Sequence, residues 1–222
     1  MPERLLFGDN MRRSSHAWET MAKAFRKRFL SREVELLAAV LNPKEKPQSY
    51  VAASETFSVL GAICAAKPDE SWEIVAAALE GKSHAWTVSH WLGGGIRDDA
   101  SPTPIEAFAA ERIFKWIDES PRERLARALD FIPKTLASPG GDLTAAFIER
   151  YGSAKGFNDS LAFRFGLGSY SGPPSEHHAA QREQAIKWAG ATASTKVKAF
   201  LDAYIGALTK LIERERMHEE RS

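Results

Sequence analysis

The chain has 222 residues, 44% of them hydrophobic and 27% charged, with a formal net charge of +1. That length suffices to bury roughly 70% of the unfolded surface without disulfide or metal staples, and the composition excludes an intrinsically disordered chain. The near-zero charge excludes a uniformly basic nucleic-acid coat while leaving room for a local basic patch.

The first thirty-two residues carry such a patch. Arg4, Arg12, Arg13, Lys23, Arg26, Lys27, Arg28 and Arg32 stand against Glu3, Asp9 and Glu19, a local balance of +5. Trp18, Met21, Ala22, Phe25 and Phe29 recur at helical spacing, which predicts a helix over 15–30. Lys23, Arg26 and Lys27 share a face of it at i, i+3, i+4. That face suits phosphate contacts or an acidic protein surface, and equally an ordinary solvated helix flank. The N-terminal run MPERLLFGDNMRR lacks a long apolar core, and no segment approaches the roughly 20 apolar residues of a membrane span. The expectation is a cytoplasmic protein. A reducing compartment agrees with the single cysteine, Cys64, set in VLGAICAAK and read as a small core hydrophobe.

Further helices are expected near 32–42, 48–66, 69–80 and 83–92. The run Val34, Leu36, Leu37, Ala38, Val40, Leu41 is apolar most of the way round, as a helix sandwiched between neighbours would be. Trp86 and Trp91 flank the helix over 83–92, with His84 and His90, directly before GGGIRDDASPTP. Trp91, two residues from Gly93, is expected to be the exposed one, able to anchor a partner or stack a base. The glycine loop carries Arg97, Asp98 and Asp99; it suits a ligand contact or a solvated turn, and without a partnered base or nucleophile it assigns no reaction.

Two helix starts are written plainly. Thr103-Pro104-Ile105-Glu106 and Ser120-Pro121-Arg122-Glu123 each place a hydroxyl at the cap, proline at the first helical position and glutamate where it bonds back. They predict helices over 104–118 and 121–131. Asp142, Ser153, Ser175 and Ser194 mark starts for 142–151, 154–165, 175–189 and 195–217, while Gly81, Gly93, Gly152, Gly166 and Gly190 suit left-handed helix ends. In the last span Val197, Phe200, Leu201, Tyr204, Ile205, Leu208, Leu211 and Ile212 form one apolar stripe.

No alternating strand pattern competes. The expected architecture is all-α: one domain over 1–222, a right-handed stack of antiparallel helical hairpins of the HEAT-like α-solenoid type, with about ten to eleven helices. No self-match reaches the quality of a tetratricopeptide or ankyrin consensus, so this rests on helix lengths and pairing.

The corner GLGSYSGPPSEHH, 166–178, is the most site-like stretch. Gly/Ser backbone before a helix start can hold an anion, and Tyr170 stands within it. However, the lysine and preceding strand of a phosphate loop are missing, and glycines, Pro173, Pro174 and a Ser175 cap account for a plain turn. His177 and His178, adjacent in sequence, point about 100° apart on a helix, which does not suit one shared metal. No metal or cofactor is expected.

GSYSGPPS at 168–175, followed by two closing helices, resembles the C-terminal part of helical-repeat regions in large bacterial proteins of the conflict and defence type. PDESWEIVAAALEG at 68–81 resembles their repeat units. The resemblance implies a scaffold and transfers no catalytic residues. The expected function is therefore a non-enzymatic scaffold or adaptor for a macromolecular partner, with a bacterial defence complex as the setting that the resemblance implies, and with Arg12, Arg13, Lys23, Arg26, Lys27, Trp91, Arg97 and Tyr170 as contact residues. The alternatives are a nucleic-acid-binding repeat using residues 1–32 and, on size and helix content alone, a protein similar in architecture to the HEAT-like alkylpurine DNA glycosylases.

Overall fold

A computed structural model describes residues 33–41, 60–81, 85–94, 103–137, 141–166 and 172–220. Among them every regular element is helical and no strand occurs. In chain order these are α1 (Glu33–Leu41), a helical stretch at 60–66, α2 (Pro68–Leu79), α3 (Ala85–Leu92), a 3-10 turn η1 (Pro104–Ala107), α4 (Ala110–Glu119), α5 (Pro121–Ala128), α6 (Gly141–Tyr151), α7 (Phe157–Gly166), α8 (Pro174–Ala191) and α9 (Thr195–Glu219). The span expected over 15–30 lies outside the described residues. The chain divides into two compact units, Met1–Phe131 and Ile132–Ser222, a division that no linker composition signals.

The first unit is organised by a line of aromatic rings. Trp72 of α2 meets Phe108 edge-on at 5.1 Å and Trp116 of α4 at 6.2 Å, and Trp116 leans on Phe131 at 6.4 Å. All four are buried, and such tilted and edge-on pairs are the arrangement that the ring quadrupole favours. The single helix expected over 104–118 is in fact two elements. Phe108 (φ −104°, ψ 141°) and Ala109 (φ −61°, ψ 134°) are extended and separate η1 from α4. On either side of the break Ile105 and Phe108, and the α4 stripe of Ile113, Trp116 and Ile117, are all buried. The Thr103 start is realised: Glu106 Oε1 accepts from the Thr103 amide at 2.8 Å and from its hydroxyl at 2.6 Å. At Ser120 the boundary is right but its side chain makes no cap bond, the residue holding φ −147°, ψ 70° before Pro121. There the proline, not the hydroxyl, sets the start.

In the second unit most of the expected α9 stripe is buried, Val197, Phe200, Leu201, Tyr204, Leu208 and Ile212, while Ile205 and Leu211 are half-buried. Ser194 caps that helix by accepting from the Val197 amide at 3.0 Å and donates its hydroxyl to the Glu149 carboxylate, while Lys196 Nζ reaches the Glu149 carbonyl at 2.6 Å. These bonds fasten the start of α9 to α6. Phe165 of α7 is the hub, its ring edge-on to Trp188 of α8 and to Phe200 and Tyr204 of α9, each at 5.9 Å. Several helix boundaries differ from expectation, α5 ending at Ala128 rather than 131 and α9 at Glu219 rather than 217. α7 starts at Phe157 rather than 154, because Gly156 holds φ +77°, incompatible with a right-handed helix. α8 runs through Gly190 to Ala191. Among the described glycines the left-handed backbone falls at Gly94, Gly156 and Gly172, none of them among those named from sequence as helix ends.

Candidate functional site

Of the contact residues expected from sequence, Arg12, Arg13, Lys23, Arg26, Lys27, Arg97 and Tyr170 lie outside the described residues, as do His84, Asp98 and Asp99. Trp91 is described, and its expected exposure is corrected: it is 3% exposed. The reason is the register of α3. Val88, Ser89, Trp91 and Leu92 form its buried stripe, and a residue three positions from Val88 on a helix must share that face. Trp86 and His90 fall on the opposite side. Trp86 is 68% exposed, and the His90 ring stacks on it at 5.1 Å with only 8° between their planes. This i, i+4 pair forms a flat outward aromatic ridge on an otherwise neutral helix. Had Val88, Trp91 and Leu92 been set against a helical wheel, the sequence would have shown it.

The side chains that invite a chemical reading are engaged in holding the fold. In the first unit Glu80, just past α2, accepts the Trp116 indole N–H at 3.1 Å, lies 2.6 Å from Arg124 Nε and 3.8 Å from Arg127. Arg124 also donates to the Trp116 carbonyl and to Glu119, both at 2.6 Å, with its guanidinium over the Trp116 ring at 5.1 Å. Burial works against the Arg124 charge, and the two glutamates outweigh it, so its pKa is raised. Arg127 donates to the Leu79 carbonyl, and Arg112 holds both the carboxylate and the carbonyl of Asp69 at 2.8 Å. The result is a clasp tying α2 to α4 and α5, whose acceptors are taken up by arginine and indole donors and are not aimed at an open site.

Cys64 is fully buried, and burial pushes its thiol up to about 12. Such a sulfur stays protonated at neutral pH, the opposite of an activated nucleophile. Among the described residues no three His, Cys, Asp or Glu side chains gather as a metal site. The His177 and His178 rings stand 5.4 Å apart at 62°, and His178 Nδ1 lies 3.2 Å from Gln181 Oε1, whose amide in turn donates to the Phe165 carbonyl at 3.2 Å. Burial first, and His178 second, hold His177 below the usual imidazole range.

At the corner, Ser175 is not the cap. α8 begins at Pro174, with extended Pro173 in the cap position and Gly172 at φ +99°. Ser175 is instead 5% exposed, and both its amide (3.0 Å) and its hydroxyl (2.6 Å) donate to the carboxylate of Glu219, 44 residues away at the end of α9. The hydrogen bonds from Ser175 keep that carboxyl below the ordinary carboxylate range. The carboxylate that meets the Ser175 donors at the start of α8 thus comes from the chain itself. Large apolar side chains also stand exposed in the second unit: Phe163 at 68%, Met217 at 54% and Ile186 at 49%.

No protein-family model matches the chain, and no curated protein or solved structure matches it. Among the described residues no helix is long and apolar enough to cross a membrane.

Proposed function

We propose that this chain is a non-enzymatic helical adaptor, a HEAT-like stack of hairpins that binds a protein partner and serves within a larger assembly of the bacterial defence type. The observation that carries the reading is the Trp86–His90 ridge. A tryptophan two-thirds exposed and backed by a parallel, stacked ring has no folding role that needs its exposure, and tryptophans are among the strongest anchors in protein interfaces. Sequential pairing of α2 with α3, α4 with α5, and α8 with α9 supports the hairpin stack. The engagement of Glu80, Glu119, Glu149 and Glu219 in internal bonds supports a scaffold over a reaction centre.

The test compares the native chain with Trp86→Ala by quantitative copurification from the source cells. A partner held by the ridge is retained by the first and lost from the second, while Phe163→Ala retains it. Equal recovery with Trp86→Ala removes the ridge as the anchor. The Trp86–His90 stack together with the +5 balance of residues 1–32 favours a second reading, a nucleic-acid binder. Its mark is an affinity for DNA or RNA that falls steeply with added salt, and its absence at low salt eliminates that reading.

A further inference from the structure

The last hairpin is fastened unequally along its length. α8 and α9 are antiparallel partners joined by the short turn 192–194. Near that turn the packing is apolar, with Ala185 from α8 and Val197, Phe200 and Leu201 from α9 buried. Toward the far end the apolar fastening stops. Ser175 and Ala185 are the buried residues of α8, so its first ten residues bury no apolar side chain. Along α9 the last buried residue is Ile212, leaving two turns beyond it without one.

Those two weakly fastened ends are joined by Glu219 and Ser175. The carboxylate takes the two donors of one residue at 3.0 and 2.6 Å, where amides at a helix start have no acceptor in their own helix and where the dipole favours negative charge. Charge-assisted bonds of this kind are the stronger class of hydrogen bond. The anion comes from within the chain, so no external ligand is invoked. We infer that residues 213–220 are a strap, closed by the Glu219 carboxylate on Ser175, whose release lets the far end of the α8–α9 hairpin, beyond Ile212, open as a local step while the apolar part stays packed. Local opening of this sort is expected where backbone hydrogen bonds are solvent-exposed and buried apolar contacts are few. This inference is independent of the docking reading, since it uses neither Trp86 nor any partner.

Native-state hydrogen exchange resolved by residue tests it on the full chain. In Glu219→Ala the amides of 176–182 and 213–219 are expected to exchange roughly threefold to tenfold faster than in the native chain, with 200–208 unchanged. Ser175→Ala gives the same pattern, and Ser175→Thr, which keeps the hydroxyl, restores slow exchange. Glu219 is exposed, so its replacement leaves the core intact and the comparison valid. Unchanged rates in Glu219→Ala overturn the inference, as does acceleration spread evenly through 200–208, which would mean that the helix pair opens only as one body.

Discussion

Trp86 and Trp91 lie five residues apart on one short helix, and their truncations are expected to behave oppositely. Trp91 is 3% exposed. A buried tryptophan hides about 150–250 Å², which at about 25 cal/mol per Å² is about 4–6 kcal/mol. Partial collapse of the cavity brings the cost of Trp91→Ala to about 3–5 kcal/mol. Trp86 is 68% exposed, so a third of its surface is covered and Trp86→Ala costs no more than about 1.5 kcal/mol. Urea unfolding followed by far-ultraviolet circular dichroism reads both. With a slope of about 2 kcal/mol per molar, Trp91→Ala lowers the midpoint by roughly 2 M and Trp86→Ala by well under 1 M. Fluorescence gives an independent check, since the native emission of Trp86 is open to acrylamide quenching and that of Trp91 is not. Equal costs, or a larger one for Trp86, would show that α3 presents the other face to the core and would remove the proposed anchor.

Other consequences follow from the same geometry. A Cβ at Gly93 would meet the Asp130 carbonyl oxygen at 2.8 Å and the Phe131 Cα at 2.9 Å, both backbone, so Gly93→Ala is expected to cost about 1–3 kcal/mol in the same urea assay; a neutral result would mean that the turn at 130–131 yields freely. Arg124→Met removes the bonds to Glu80, Glu119 and the Trp116 carbonyl and leaves the Trp116 indole with a carboxylate lacking its main cation, a loss of about 1.5–3 kcal/mol. Cys64 is expected to resist a thiol-specific disulfide reagent in the native chain and to react fully in denaturant, its burial and raised pKa both withholding the thiolate. Because His177 titrates below its unfolded value, the unfolded state binds the extra proton. Stability from this group is present above about pH 6.5 and is lost as pH falls through that value. Glu219, also depressed, adds a second loss below the ordinary carboxylate range. His177→Gln should flatten the first slope in urea midpoints measured between pH 7.5 and 5.5, and an unchanged slope would assign it elsewhere.

Helix existence was legible because it is a local property. The apolar period of α9, the prolines at 104 and 121, and the hydroxyl of Ser194 each act within one or two turns, and each sits where expected. Cys64, read as a core residue from its apolar neighbours, is one. Two of the differences depended on contacts distant in sequence. The extended pair Phe108–Ala109 breaks a pattern that is helical on its own, and Phe108 at the break packs on Trp72, distant in sequence. Ser175 looks like a cap by its place after two prolines, yet its donors are turned to a glutamate 44 residues on, which no local window contains. Trp91 is the local case: its burial follows from the helical period it shares with Val88 and Leu92, whatever its nearness to Gly93. Sequence by itself thus determined that this chain forms amphipathic helices and roughly where each begins, since periodicity, proline geometry and capping are settled within a few residues. Tertiary structure decided where a helix breaks and which anion meets the start of α8, because those outcomes depend on surfaces that only the folded chain brings together.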